Sequence, residues 1–243
     1  MNKQGVKDKA TSRRDKPRVP SRGRGVARYK ILLDATQALL KKHDPADVGL
    51  YQIAEKADVP PASVYHFFPT KEAAFVALAQ RFVDQLLELH RAPIPARLVR
   101  NWTDLFEIDT RRAMDFYNAN IPALKIFYGG HGGVETREID RIASVKMSSS
   151  GYARLNQIFH MPFLTNPDIK FEARLSILEA IWSLSVRDTG RITEEYHREA
   201  LEACFAYSHT FLPGRLEPRP LLIEAIQNDG SIVLPFDAEY PDA

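Results

Sequence analysis

Along most of this chain apolar side chains return every three or four residues. That spacing turns one face of an α-helix toward a core. Leu32, Leu33, Thr36, Leu39 and Leu40 form the first such stripe, and His43-Asp44-Pro45 closes it. A short helix is predicted from about Leu50 to Ala57, and Asp58-Val59-Pro60 reads as a turn. Pro61 suits the first position of another short helix, where a missing N–H leaves no bond unmade. Phe68-Pro69 stops that helix near Phe67. Thr70 is placed to cap the next one through its hydroxyl, and Glu72 favours the positive end of the helix dipole.

Downstream the chain reads as helix after helix. One stripe is Phe75, Leu78, Ala79, Phe82, Leu86 and Leu89, and a second is Leu98, Trp102, Leu105, Phe106, Ala113 and Phe116. A third is Phe171, Leu175, Leu178, Ile181, Trp182 and Ser185, and a fourth is Tyr196, Ala200, Ala203, Cys204, Tyr207 and Phe211. Residues 135–160 also read as helical, although Ser148-Ser149-Ser150-Gly151 lowers the helix propensity there. No strand-type alternation occurs before residue 214. Beyond it, Asp229-Gly230 lies between the apolar runs Leu221–Ile226 and Ile232–Leu234, which predicts a small hairpin. The expected fold is all-α, with a three-helix N-terminal domain and a larger helical domain after it. The boundaries read from sequence are a flexible basic arm at 1–25, a small domain at 26–72, a helical domain at 73–213 and a C-terminal extension at 214–243.

Charge changes this picture at one end only. The net charge is +2, yet residues 1–28 hold ten Lys or Arg against Asp8 and Asp15, leaving the remainder at −6. A basic arm on a mildly acidic body suits a polyanion approaching from that end. The apolar fraction of 44% and charged fraction of 26% are those of a soluble globular chain. No run approaches the roughly 18 apolar residues of a membrane span, and no apolar segment follows the N-terminal charges as a secretory signal requires. A lone cysteine, Cys204, excludes an internal disulfide and a Cys-rich metal site. The expected location is the cytoplasm.

The chemistry concentrates in Ile53 to Lys71. A short helix, a tight turn and a second short helix are the parts that lay one helix across a DNA major groove. Ala54 is small where the helices must approach, and Val59 can fill the space between them. Val64 and Phe68 would face the core while Ser63, Tyr65 and His66 face outward. An exposed Tyr beside an exposed His can donate to phosphate oxygens or stack on sugar and base edges. The run Ile53-Ala54, Ala57-Asp58-Val59-Pro60, Val64-Tyr65-His66-Phe67-Phe68 and Pro69-Thr70-Lys71-Glu72 resembles, without insertion, the DNA-binding domain of the TetR family of transcriptional regulators. The likeness covers residues 30–75.

The resemblance implies that Tyr65, His66 and Lys71 contact DNA. Tyr51 takes a contact position at the start of the second helix, and Ala62 and Ser63 lie near the groove. Asp58 and Asp44 stand where the family has glycines; Asp tolerates the left-handed conformation better than most residues. Pro60-Pro61 replaces a Ser cap and its neighbour, removing two N–H groups from phosphate binding. The resemblance further implies a homodimer on a palindromic operator, with helices near 168–189 and 193–211 at the interface. It also implies a repressor released by a small-molecule effector. A ligand-independent DNA-binding protein, or an activator controlled by a protein partner, would present the same motif.

The aromatic content of residues 102–182 suggests an apolar or aromatic effector. The candidate pocket residues are Trp102, Phe106, Asp109, Phe116, Phe127, Tyr128, Tyr152 and Trp182. Asp109 falls on an apolar stripe seven residues after Trp102. A carboxylate there needs a partner, either an Arg of a neighbouring helix or a polar ligand group. Gly129-Gly130-His131-Gly132-Gly133 lacks the Lys-Ser/Thr of a phosphate-binding loop. His131 and His160 have no spacing that supports a metal. No nucleophile–base pair, cofactor loop or metal set marks an enzyme, and no cofactor is expected.

Overall fold

Helix propensity and the i, i+3, i+4 stripes carry through into a helical chain. The computed structural model describes residues 16–129 and 134–234, apart from the side chains of 134–143, 146 and 149. Among the described residues the helices are α1 Gly23–Lys42, α2 Leu50–Lys56, α3 Pro61–Phe67, α4 Lys71–Arg91, α5 Trp102–Ala119 and α6 Ile121–Phe127. They continue with α7 Val134–Ile158, α8 Pro167–Thr189, α9 Glu194–Ser208 and α10 Pro220–Gln227. Two short strands, β1 Ile94–Pro95 and β2 Ser231–Ile232, complete the set. None of these helices is long and apolar enough to cross a membrane. The chain divides into two units after Leu78, inside α4.

In the first unit, α1 begins at Gly23, so the last residues of the stretch read as an arm are already helical. Leu32, Leu40, Ile53, Val64 and Phe68 are fully buried and form the core that joins α1 to α2 and α3. Thr36 satisfies its hydroxyl on the Leu32 carbonyl at 2.8 Å, which lets a polar residue sit at a core position of α1. Tyr29 packs on Phe67 and Phe68 with ring centroids at 5.8 and 5.2 Å, and burial raises its phenol to about pKa 12. The first helix does not close on a left-handed residue: Asp44 is extended at φ −71°, and Pro45 begins a 3-10 turn, Pro45–Asp47. The Thr70 cap is present, its hydroxyl accepting from the Ala73 N–H at 3.1 Å.

The second unit is built on α5, α7, α8 and α9. Trp102, Ile158, Phe159 and Phe171 lie in one buried cluster with Leu212, Leu216, Leu222, Ile232 and Leu234 from the C-terminal segment. Each such side chain contributes about 1.5–3 kcal/mol when withdrawn from water. The segment after residue 214 therefore completes this core. The hairpin expected there does not form. Leu221–Ile226 lies in α10, whose Pro220 supplies a helix start. Asp229, at φ 46°, turns the chain so that β2 pairs antiparallel with β1, matching Ile94 to Ile232. The strand at Ile94–Pro95 had no pattern to announce it, because two residues cannot show alternation. Leu98 sits in a 3-10 turn at half exposure, outside the helix its stripe suggested. Residues 235–243 lie outside the described residues.

Candidate functional site

The outer surface of α2 and α3 follows from what their inner surfaces bury. Asp58 adopts φ 51°, and its N–H donates to Glu55 O at 3.2 Å while Val59 N–H donates to Ala54 O at 3.1 Å. This closes the turn and drives Val59 inward against Ala54, both buried. With Val64, Phe67 and Phe68 inside, the opposite face of α3 presents Ala62, Tyr65 and His66 to solvent, with Ser63 half-buried. Tyr51 at the start of α2 is 68% exposed and Tyr65 is 44% exposed. Their rings meet edge to face at 6.2 Å. His66 leans its ring on Phe67 at 4.9 Å, leaving the imidazole edge available. The start of α3 has Pro60 as its N-cap and no side-chain cap bond, so Pro60-Pro61 offers no N–H there.

Lys71 has a second engagement. Its ammonium donates to Ala46 O at 3.1 Å and Pro45 O at 3.4 Å, tying α4 to the 3-10 turn. An ammonium has three protons, so one remains for an anion. The basic segment is partly ordered against this domain: Arg18 N–H donates to Phe67 O at 2.9 Å, and the side chains of Arg18, Arg22, Arg24 and Arg28 are exposed. Residues 1–15 of the arm lie outside the described residues.

The second unit holds a cavity of about 80 Å³. Of the aromatic and acidic residues singled out in sequence, Phe106, Asp109, Tyr128 and Trp182 line it. Trp102 lines a neighbouring recess of about 20 Å³ that shares Phe106, Asp109, Arg154 and Arg174. The remaining three lie elsewhere. Phe116 packs edge-on against Phe82 at 6.2 Å, Phe127 covers Val83 and Leu87, and Tyr152 stands against Phe171 at 6.0 Å. These are contacts of a core.

Asp109 has the internal partner its position called for. Arg154 grips it with both terminal nitrogens, at 2.5 and 3.2 Å, and also donates to His90 O at 3.2 Å. Paired geometry of this kind is the strong form of an ion pair. Arg174 was not foreseen. It is buried between the rings of Phe106 and Phe171, its guanidinium carbon 4.2 and 4.5 Å from their centroids. Burial lowers it to about pKa 10, so it remains a cation at neutral pH. The signal for it is the one that exposed Asp109: an ionisable residue at i+3 from Phe171 and i−4 from Leu178, on an apolar stripe.

His160 is exposed, and its backbone N–H is bonded to Glu217 O. His131 lies outside the described residues. Among the described residues no three His, Cys, Asp or Glu side chains are grouped to hold a metal ion.

Residues 32–78 match the family model described as bacterial regulatory proteins, tetR family. No curated protein sequence matches the chain. Among solved structures, the fold is similar to a TetR-family transcriptional regulator from Streptomyces coelicolor, 24% identical, with a TM-score of 0.54 over 76% of this chain and 97% of that one. It is also similar to a TetR transcriptional regulator from Rhodococcus sp. RHA1, 17% identical, with a TM-score of 0.56 over 76% and 97%. The fatty acid degradation regulator FadR from Bacillus halodurans has the same fold at 11% identity, with a TM-score of 0.56 over 80% and 98%.

Proposed function

We infer, from an N-terminal domain that belongs to the TetR family of bacterial regulatory proteins, that this chain regulates transcription by binding a palindromic DNA operator as a homodimer. The fold is that of a TetR-family DNA-binding regulator. The observation that carries the reading is the outward face of the helix-turn-helix, where Tyr51, Tyr65 and His66 stand clear of the core and Lys71 retains a donor. Ala62 and Ser63 complete the surface turned to the groove. A cytoplasmic location follows from this role, as does the absence of catalysis.

The mode is repression, relieved by a small molecule in the helical domain. A dimer reads two half-sites one helical turn of DNA apart, about 34 Å, or a multiple of it. A ligand that prefers a different spacing shifts the equilibrium by its differential affinity. On α8, Ser176, Ala180 and Ser183 recur on the exposed side at helical spacing, small enough for close approach by α8 and α9 of a second copy. Selection of bound sequences from a random duplex pool, at near-physiological salt, tests the reading. Recovery of one palindrome is expected, with a protein-to-site ratio of two. Recovery of unrelated sequences overturns it.

A further inference from the structure

Among the buried polar atoms of the second unit without a hydrogen-bond partner, those of Arg174 and Trp182 belong to residues that line the same cavity. Arg174 is 6% exposed, and neither its Nε nor its Nη1 has a hydrogen-bond partner. Trp182 is 1% exposed, and its indole N–H is likewise unpartnered. Buried donors in folded proteins are almost always bonded. A buried cation without an anion is costlier still, and flanking Phe rings offset only part of that cost. The Asp109 carboxylate is engaged by Arg154 through both oxygens and acts on Arg174 only through its charge. The other charge that acts on Arg174 is the Cys204 thiol, which burial pushes up to about pKa 11 and so keeps neutral.

The cavity wall is shaped to leave this cation accessible from inside. Gly151 faces the guanidinium, and a Cβ there would lie 3.5 Å from Nη2 and 3.0 Å from Phe171 Cδ1. Any larger residue would crowd the space beside Arg174. The rest of the wall is mainly apolar, with Leu86, Ala113 and Leu178, and its further carboxylate, Glu179, accepts from the Ser144 hydroxyl at 2.8 Å.

We propose that the cavity takes a compact monocarboxylate, its carboxylate accepting from Arg174 and its short apolar body lying among Phe106, Leu178 and their neighbours. A volume of about 80 Å³ is smaller than the roughly 150 Å³ that admits benzene, which restricts the ligand to a short-chain acid. The proposal rests on the reading of the helical domain as ligand-binding and supplies its ligand class.

The test uses the full chain and four probes, acetate and butyrate with acetamide and butyramide as their uncharged counterparts. Titration calorimetry and thermal shift are read without DNA. At least one acid is expected to bind about 10-fold or more tightly than its amide, because hydrogen bonds to an ionised acceptor are roughly twice as strong. Arg174→Met is expected to weaken that acid about 30-fold or more. The acid–amide comparison in the natural protein stands whether or not Arg174→Met folds. Amides that bind as well as the acids, no binding by either acid, or equal stabilisation by chloride alone would each overturn the proposal. Acid binding by a protein that selects no operator would leave this assignment in place and sink the DNA-binding reading. Operator selection with no acid binding would do the reverse.

Discussion

Tyr65 shares an edge-to-face contact with Tyr51, yet neither ring is needed to close the core beneath them. Val64 and Phe68, on the other side of α3, do that. This separation makes a sharp prediction. Tyr65→Ala is expected to weaken operator binding by about 1–2 kcal/mol, roughly 5- to 30-fold. Stability should stay within about 0.5 kcal/mol, as for an exposed position. Fluorescence anisotropy on the selected operator and urea unfolding of the same sample read the two quantities; equal losses in both would make Tyr65 structural. Asp109 predicts the opposite pattern. Asp109→Asn leaves the Arg154 guanidinium buried without its counter-charge, and the expected loss of stability is about 3–5 kcal/mol. A urea midpoint unchanged by the substitution would refute the pairing. Asp109 was legible in the sequence because a carboxylate on an apolar stripe breaks the pattern. Arg174 breaks it in the same way and went unread, because a long side chain on a helix ordinarily carries its charge out to water.

The stripes located most of the helices at the scale of elements, and the failures have local causes. In α7 the serine run does not interrupt the helix, and the hydroxyls of Ser148 and Ser150 turn back onto the chain. Ser148 donates to Ser144 O at 2.8 Å and Ser150 to Met147 O at 2.9 Å. The seven-residue α6 was too short for a period to register. The turn of the helix-turn-helix was readable because its demand falls on one residue, Asp58, whose type accepts φ 51°. The hairpin at Asp229-Gly230 was misread because the turn is real but its partner strand is Ile94–Pro95, distant in sequence. Helix packing also fixes a pH dependence. His197 on α9 lies against Trp182 on α8 at 5.7 Å, and neither ring nitrogen has a partner. Burial holds its pKa below the ordinary value of about 6.5, and Arg111 adds to the effect against Glu194 and Asp115. The unfolded chain therefore takes up the proton first as pH falls. Stability is full above about pH 6.5 and declines as the pH drops from there toward the lower folded value. Urea midpoints compared at about pH 7 and pH 5.5 should fall in the natural protein and fall less in His197→Phe. Identical slopes would show that His197 is not the group responsible.

Over the whole molecule, charge is divided more sharply than secondary structure is. Residues 1–28 carry +8 and the rest −6, so one end of the chain attracts a polyanion while the remainder repels it. The basic segment itself has two parts. Arg18 is held by its backbone to the end of α3, and Arg22, Arg24 and Arg28 are exposed before and within the first turns of α1. Residues 1–15 contribute Lys3, Lys7, Lys9, Arg13 and Arg14 beyond that point. A deletion meant to test electrostatics must therefore stop at residue 15; one that runs to residue 25 would also remove the Arg18–Phe67 bond and the first residues of α1. Each phosphate neutralised contributes about 0.9 to the slope of log affinity against log salt. Removal of residues 1–15 is expected to lower affinity at near-physiological salt and to flatten that slope by about 1–3 per subunit, with the unfolding midpoint unchanged. The comparison is made by anisotropy across a salt series on one operator. An unaltered slope would mean that these five cations do not reach the phosphates, and that the cations from Lys16 onward supply the whole electrostatic term.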